Sequence, residues 1–341
     1  MVMDTEVVWV ARPGGPERLR VEQRNIQAIG EDEALIEMEA AGIAFADIMM
    51  REGRYPGVRT PVTPGYDIVG RVIALGERVS SLSVGDRVAA LTVFGSYARH
   101  RKLKAEHLIK APDDSDPSEL VALVLNYSTA YQMLRRCTRV DKGDWVLVHG
   151  AAGGVGQAIL QLCRHYGINA IGTASKRKHS VVTQLDAVPI DYKTEDFVAE
   201  TFAITGGQGV DAVFDHVGGL NVRRSYETLR PWGIVVSYGA MAAFPAGRFS
   251  VLSGLRSGII SASFNPAKML VDNRGVIGFD VAGRYGARPE FLTSDLTTIF
   301  DLYEAGRLQP EISGRFQIEE IAEAHRQLGA SAVTGKLVLV P

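Results

Sequence analysis

The sequence predicts an α/β protein in which a β-rich, barrel-like first third leads into a doubly wound parallel sheet. Three observations carry this. Short runs rich in β-branched residues, each bounded by Gly, Pro or Asp, fill about residues 1–110. After Pro117, fully apolar strands alternate with helix-forming stretches, which implies βαβ units and a sheet covered on both faces. Where the first such strand meets its helix, the chain is almost entirely small: Gly150-Ala151-Ala152-Gly153-Gly154-Val155-Gly156.

In chain order, Val7 to Val10, Ala34 to Glu39, Ile68 to Leu75 and Arg87 to Leu91 read as strands. Leu120 to Leu134 carries good helix formers and reads as one helix or two. Then Trp145 to His149 is a strand and Val155 to Tyr166 a helix. Ala170 to Thr173 is a strand and Ser180 to Leu185 a short helix, and Ile190-Asp191-Tyr192 reads as a third strand's end. Val210 to Asp215 is a strand, Val222 to Leu229 a helix, and Ile234 to Tyr238 a strand. Helices follow at Pro289 to Ala305 and near Ile318 to Leu328, with a closing strand at Lys336 to Val340.

Composition narrows the partners. The 37 basic and 39 acidic residues leave a net charge of -2, which gives no reason to expect nucleic acid or a membrane surface. The 2 cysteines exclude a disulfide framework and a cysteine-rich zinc site, and they fit a reducing, cytoplasmic compartment. No basic-then-apolar leader is visible after Met1, and no apolar run reaches the length of a membrane helix.

The loop at 150–156 is the strongest chemical signal. An apolar strand, a small-residue turn and an amphipathic helix form the context of a dinucleotide site. Small residues let the backbone approach a pyrophosphate, and the helix N-terminus supplies N–H groups and partial positive charge. The second strand bears on the choice of cofactor. NAD-specific domains place Asp or Glu at its end, about 20 residues on, for the ribose 2′-OH. Here Ser175 stands there, followed by Lys176, Arg177 and Lys178. A hydroxyl and cations suit a 2′-phosphate, so the expected cofactor is NADPH. His149, at the end of an apolar strand, reads as a packed core histidine.

Several motifs in order resemble the medium-chain dehydrogenases/reductases, in their zinc-free quinone oxidoreductase branch. They are Gly42-Ile43-Ala44-Phe45-Ala46-Asp47, Pro64-Gly65-Tyr66-Asp67-Ile68-Val69-Gly70, Val84-Gly85-Asp86-Arg87-Val88, Asn126-Tyr127-Ser128-Thr129-Ala130-Tyr131, the phosphate loop and Gly335-Lys336-Leu337-Val338. The resemblance spans essentially the whole chain. It implies a GroES-like β-barrel catalytic domain (1–125 and 266–341) with an inserted Rossmann domain (126–265). Ala44, Tyr66 and Asp67 stand where zinc relatives carry metal ligands, so no bound metal is expected. Many quinone reductases carry Asn at the position of Ala44 and Tyr at that of Met49, which implies a more apolar pocket here.

The resemblance also assigns site residues. Ala152, Gly153, Gly154 and Val155 would touch the pyrophosphate, and Ser175, Lys178 and Tyr192 would surround the 2′-phosphate. Thr129, Gly239, Ala240 and Phe264 would lie near the nicotinamide half. Tyr55, Tyr66 and Tyr127 are the candidate proton or hydrogen-bond donors, each equally readable as packing. The segment from Ala243 to Leu255, with Pro245, Gly247 and Arg248, is expected to cover a substrate mouth or a subunit contact.

Without a Lewis acid, the remaining chemistry is hydride transfer to an acceptor that is already electrophilic, a quinone or an α,β-unsaturated carbonyl. The alternatives are an enoyl reductase of a biosynthetic pathway and a non-catalytic NADPH-binding trafficking or adaptor protein. A nucleic-acid-binding role has little support from the even charge. A homodimer is expected, with Ile234 to Tyr238 or the segment after it pairing across the sheet edge.

Overall fold

The computed structural model describes residues 3–244, 249–261, 264–330 and 333–341. Pro245, Gly247 and Arg248 therefore lie outside the described residues. The chain divides into two compact units, Met1–Ser128 with Arg288–Pro341, and Thr129–Ala287.

The first unit is built on antiparallel strands. Its main sheet runs in the order Ile312–Gln317, Lys336–Val340, Glu33–Ile43, Asp67–Leu75, Arg87–Leu91, Ile109–Lys110, with His100–Lys104 also paired to Glu33–Ile43. Glu33–Ile43 is long enough to serve three partners. Its first half pairs with His100–Lys104 and its end with Lys336–Val340, while Asp67–Leu75 runs along its length. A hairpin of Met3–Trp9 and Arg20–Ile26 adds to this unit. Alternation along the strands sends Val8, Val10, Ile36, Met38, Ile68 and Leu337 into one core. Burying such side chains is worth about 1.5–3 kcal/mol each relative to exposure.

The second unit is a six-stranded parallel sheet. The order is Val188–Asp191, Asn169–Ala174, Trp145–His149, Val210–Asp215, Leu229–Ser237, Gly275–Gly278. Numbered along the unit, this is 3-2-1-4-5-6, the doubly wound order. Its central strands are apolar on both faces, as strands covered by helices on each side must be.

Two expectations about boundaries change. The return to the first unit comes at Arg288 rather than 266, because Gly275–Gly278 joins the parallel sheet beside Leu229–Ser237. For the same reason Ile234 to Tyr238 is not the sheet edge, since Ile234–Ser237 is paired on both sides. The expected stretch Leu120 to Leu134 is helical throughout. Asp116 caps its start by accepting from the Ser118 N–H at 2.8 Å, and π-type turns widen it at Leu123–Tyr127 and Met133–Cys137. The first unit ends within this helical stretch, at Ser128. Among the described residues, no helix is long and apolar enough to cross a membrane.

Candidate active site

In the second unit, strand order reverses between Trp145–His149 and Val210–Asp215, and the small-residue loop leaves the carboxyl end of the first of these. That crevice is where open α/β sheets bind ligands. The loop folds on itself. Gly153 N–H donates to the Gly150 carbonyl at 2.9 Å, and Ala151 N–H donates to the Thr173 carbonyl of the neighbouring strand at 3.1 Å. Gly153 is the N-cap of the helix Gly154–Tyr166, so the N–H groups of Gly154, Val155 and Gly156 have no intrahelical acceptor. At Gly156 a Cβ would sit 2.4 Å from the Gly150 oxygen and 2.7 Å from the Ala151 Cα, so only glycine allows the helix this close to the loop.

A buried polar network fixes both sides of the crevice. One Asp215 oxygen accepts from the N–H groups of Val217 and Gly218 at 2.8 and 2.9 Å. The other accepts from Asn221 Nδ2 and Ser225 Oγ, both at 2.8 Å. Because Ser225 spends its proton on Asp215, it accepts from His149 Nε2 at 3.0 Å, and His149 Nδ1 then accepts from Thr173 Oγ1 at 3.0 Å. Burial pushes His149 down to about 4, against the attraction of Asp215, so the imidazole is neutral. His149 is thus a packed, fully bonded core residue, as expected.

His216 follows Asp215 and was not singled out by the sequence reading. A Cβ on Gly150 would meet its ring at 2.4 Å, and one on Gly239 would meet its carbonyl at 2.5 Å. His216 therefore joins the phosphate loop to the Gly239-Ala240 turn, and its Nδ1 is buried without a hydrogen-bond partner among the described residues. Burial, outweighing Asp215, lowers its basicity. The signal that marks this site is an acid closing an apolar strand just before Gly218-Gly219.

The other expected cofactor residues fall as follows. Ser175 and Lys178 bracket a tight turn, in which the Lys178 N–H donates to the Ser175 carbonyl at 2.8 Å. Ser175 follows directly on the second strand, Asn169–Ala174, and no acidic side chain stands in the turn Lys176–Lys178. Burial, with Arg177 beside it, lowers the Lys178 ammonium. Tyr192 is exposed, just past the third strand Val188–Asp191. Thr129 is buried, and its Oγ1 has no hydrogen-bond partner among the described residues. Phe264 packs edge-on against Tyr226 at 5.8 Å and joins the apolar cluster of this unit. The cradle at Gly150–Gly156 and the open N–H groups at the start of the helix Gly154–Tyr166 fit the pyrophosphate of a nicotinamide dinucleotide.

In the first unit, the structure joins two of the three candidate tyrosines. Tyr55 and Tyr66 hydroxyls are 2.7 Å apart and their rings meet edge-on. Tyr127 is buried separately in the wide turn Leu123–Tyr127. The turn that carries Ala44 is held by Asp47. One Asp47 oxygen accepts from Ala44 N–H at 2.8 Å and Tyr97 O–H at 2.9 Å, and the other from Gly65 N–H at 2.9 Å. Full burial pushes Asp47 up to about 7 despite these donors. Behind it, neutral His325 accepts from Arg51 and packs on Tyr97, its basicity pushed down to about 3 by burial and then by Arg51. Asp67 is buried and paired with Lys336 Nζ at 3.2 Å.

Comparison with known proteins agrees with both units. Residues 30–113 match the alcohol dehydrogenase GroES-like domain, and residues 185–339 a family described as zinc-binding dehydrogenase. A synaptic vesicle membrane protein VAT-1 homolog of Rattus norvegicus is 35% identical over 333 residues, 96% of this chain and 82% of that protein. A quinone oxidoreductase of Pseudomonas aeruginosa is 32% identical over 337 residues, covering 98% and 99%. The crystal structure of Escherichia coli quinone oxidoreductase complexed with NADPH superposes with a TM-score of 0.87 at 26% identity, covering 98% of this chain and 100% of that one. Zinc does not fit the residues present. Ala44 has no donor atom, Tyr66 is engaged by Tyr55, and Asp67 is paired with Lys336. Among the described residues, no group of three or more His, Cys, Asp or Glu side chains is placed to hold a metal ion. Fold, motifs and identity over nearly the full length agree: the chain belongs to the medium-chain dehydrogenase/reductase family, in the branch of the quinone oxidoreductases and VAT-1 homologues.

Proposed function

We propose that this protein is an NADPH-dependent reductase that passes hydride to a quinone or an α,β-unsaturated carbonyl without a metal. The observation that carries this is the glycine-tight phosphate loop at the strand-order reversal, together with a second-strand turn of Ser175 to Lys178 in place of a carboxylate. When bound, the dinucleotide supplies hydride from the nicotinamide. The chain's own residues do the rest. Gly154, Val155 and Gly156 N–H groups hold the pyrophosphate, and Ser175 and Lys178 hold the 2′-phosphate.

The acceptor gains negative charge on oxygen, and the Tyr55–Tyr66 pair is the donor for it. Tyr66 is buried and Tyr55 half-buried, and either hydroxyl can be the donor in the 2.7 Å bond between them. A donor that is itself receiving a hydrogen bond is strengthened. Removing such a donor costs about 10²–10³ in kcat in well-studied oxyanion sites.

NADPH oxidation measured across a panel of quinones and enones tests the proposal. The expected result is saturable turnover with some of them, and a fall of about 10²-fold in Tyr55→Phe. Tight NADPH binding with no acceptor turned over would instead favour a non-catalytic binding protein, the reading that similarity to VAT-1 homologues supports. The same reading carries a homodimer. Among the described residues Gly275–Gly278 leaves one sheet edge unpaired, and Leu252, Leu255, Leu270 and Val271 on the preceding helices are exposed. A monomer in sedimentation at micromolar concentration would contradict it.

A further inference from the structure

The first unit holds a cavity of about 370 Å³, lined by none of the residues assigned above. Its walls come from Trp9 at the end of the first strand, the segment 57–63, Phe94-Gly95 and Arg101. The apolar part is Trp9, Val58, Pro61, Val62 and Phe94, and Phe94 is exposed at its rim. The charged part is two guanidinium groups, Arg59 and Arg101, and no acidic residue lines the cavity.

Arg101 is placed there by the backbone. Gly95 has φ +95, and a Cβ at that position would sit 2.6 Å from the guanidinium carbon. Glycine at 95 thus gives the guanidinium a flat backbone surface to lie on. Arg101 Nε is buried with no hydrogen-bond partner among the described residues. Burial lowers the basicity of this side chain, opposed only by Glu33. Glu33 is itself committed, to the Gly30 N–H at 2.7 Å and to Lys102 at 3.3 Å. Arg101 is half-buried, a cation beside the cavity with no ion pair among the described residues, and an anion in the cavity would supply both charge and acceptor oxygens to it. A third guanidinium, Arg24, stacks on the Trp9 ring at 4.1 Å and adds to the positive field, though it is paired with Glu22.

We propose that this cavity binds a small organic carboxylate with an aromatic or compact apolar body. The carboxylate would pair with Arg101 and Arg59, and the body would lie between Trp9 and Phe94. The cavity is within the size range of small-molecule sites. Its mixed lining disfavours inorganic phosphate, which offers no apolar surface for Trp9, Val58 and Phe94 to cover.

Benzoate is the probe, with benzamide as its uncharged counterpart and inorganic phosphate as charge without body. Titration of the full chain by calorimetry, with Trp fluorescence in parallel, should show saturable benzoate binding at millimolar concentration. Benzamide should bind at least about tenfold more weakly, the value of one charge-assisted contact. Arg101→Gln should weaken benzoate by about tenfold or more, and Arg59→Gln, on an exposed side chain, should weaken it with no risk to folding. The proposal is overturned if benzoate does not bind, if benzamide or inorganic phosphate binds equally well, or if Arg59→Gln leaves benzoate affinity unchanged. NADPH titration of the same variants reads the nucleotide site separately, so failure here leaves the proposed reductase standing.

Discussion

Replacing Gly156 by alanine tests the geometry of the phosphate loop most directly. The new methyl group would stand 2.4 Å from the Gly150 carbonyl oxygen and 2.7 Å from the Ala151 Cα, against an ordinary contact of at least 3.4 Å. It falls short by about 1 Å at the oxygen. Both obstacles are backbone atoms, so no side chain can rotate out of the way. The helix Gly154–Tyr166 must back off from the loop, and its N–H groups move with it. Overpacking of this kind costs about 1–3 kcal/mol. If that strain is relieved at the expense of the bound geometry, NADPH affinity falls by about fivefold to a hundredfold. Fluorescence titration with NADPH measures this, and urea denaturation shows how much of the strain goes into stability instead. Gly153→Ala is the internal comparison, since its Cβ would meet only the Gly150 oxygen at 3.3 Å and its backbone is extended. That variant should keep its stability, with any loss confined to NADPH. Wild-type affinity and wild-type stability together in Gly156→Ala would refute the account of the loop.

Three further outcomes follow from other residues. Lys178→Ala should weaken NADPH by about tenfold to a hundredfold and leave NADH nearly unchanged; an equal loss for both cofactors would make Lys178 merely structural. Asp215→Asn replaces one of two oxygens that each accept two hydrogen bonds, so two of the four contacts become a donor facing a donor; urea denaturation should show a loss of about 1–3 kcal/mol, and an unchanged midpoint would remove the network from the account. Asp47 has a folded pKa raised from 3.8 to about 7, so its contribution to stability is complete below about 3.8 and is lost as pH rises through about 7. The stability advantage of wild type over Asp47→Asn should therefore shrink by about 3 kcal/mol between pH 5 and pH 8 in parallel denaturations, and a constant difference would show that Asp47 stays charged throughout.

What could be read from residues alone followed the range of the interactions involved. Trp145 to His149 and the helix after the loop were legible because an apolar run, a small-residue turn and an amphipathic stretch are all local patterns. Gly275–Gly278 was not, because four residues with two glycines carry no period, and only pairing with Leu229–Ser237 makes them a strand. Ile312–Gln317 was missed because it reads as a strand only beside Lys336–Val340. The same limit applies to the sites. Ser175 and Lys178 could be placed by counting from the loop. His216 could not, because its neighbours Gly150 and Gly239 are distant in sequence. Three tyrosines looked equivalent as residue types, and only folding distinguishes the bonded pair Tyr55–Tyr66 from Tyr127.

The position of Lys336–Val340 bears on how the protein is made. This strand lies inside its sheet, between Ile312–Gln317 and Glu33–Ile43, and Lys336 is the only cation that any described bond gives to buried Asp67. On the ribosome, Glu33–Ile43 emerges early and must wait for almost the whole remaining chain before that neighbour exists. The nucleotide unit, by contrast, has all of its strands once residue 278 is out. Vectorial synthesis thus allows the second unit to fold while the first still exposes the unpaired end of Glu33–Ile43, Ala41–Ile43, and an unneutralised acid. Such a nascent chain offers a surface for chaperones, or for wrong strand pairing, until the last strand docks.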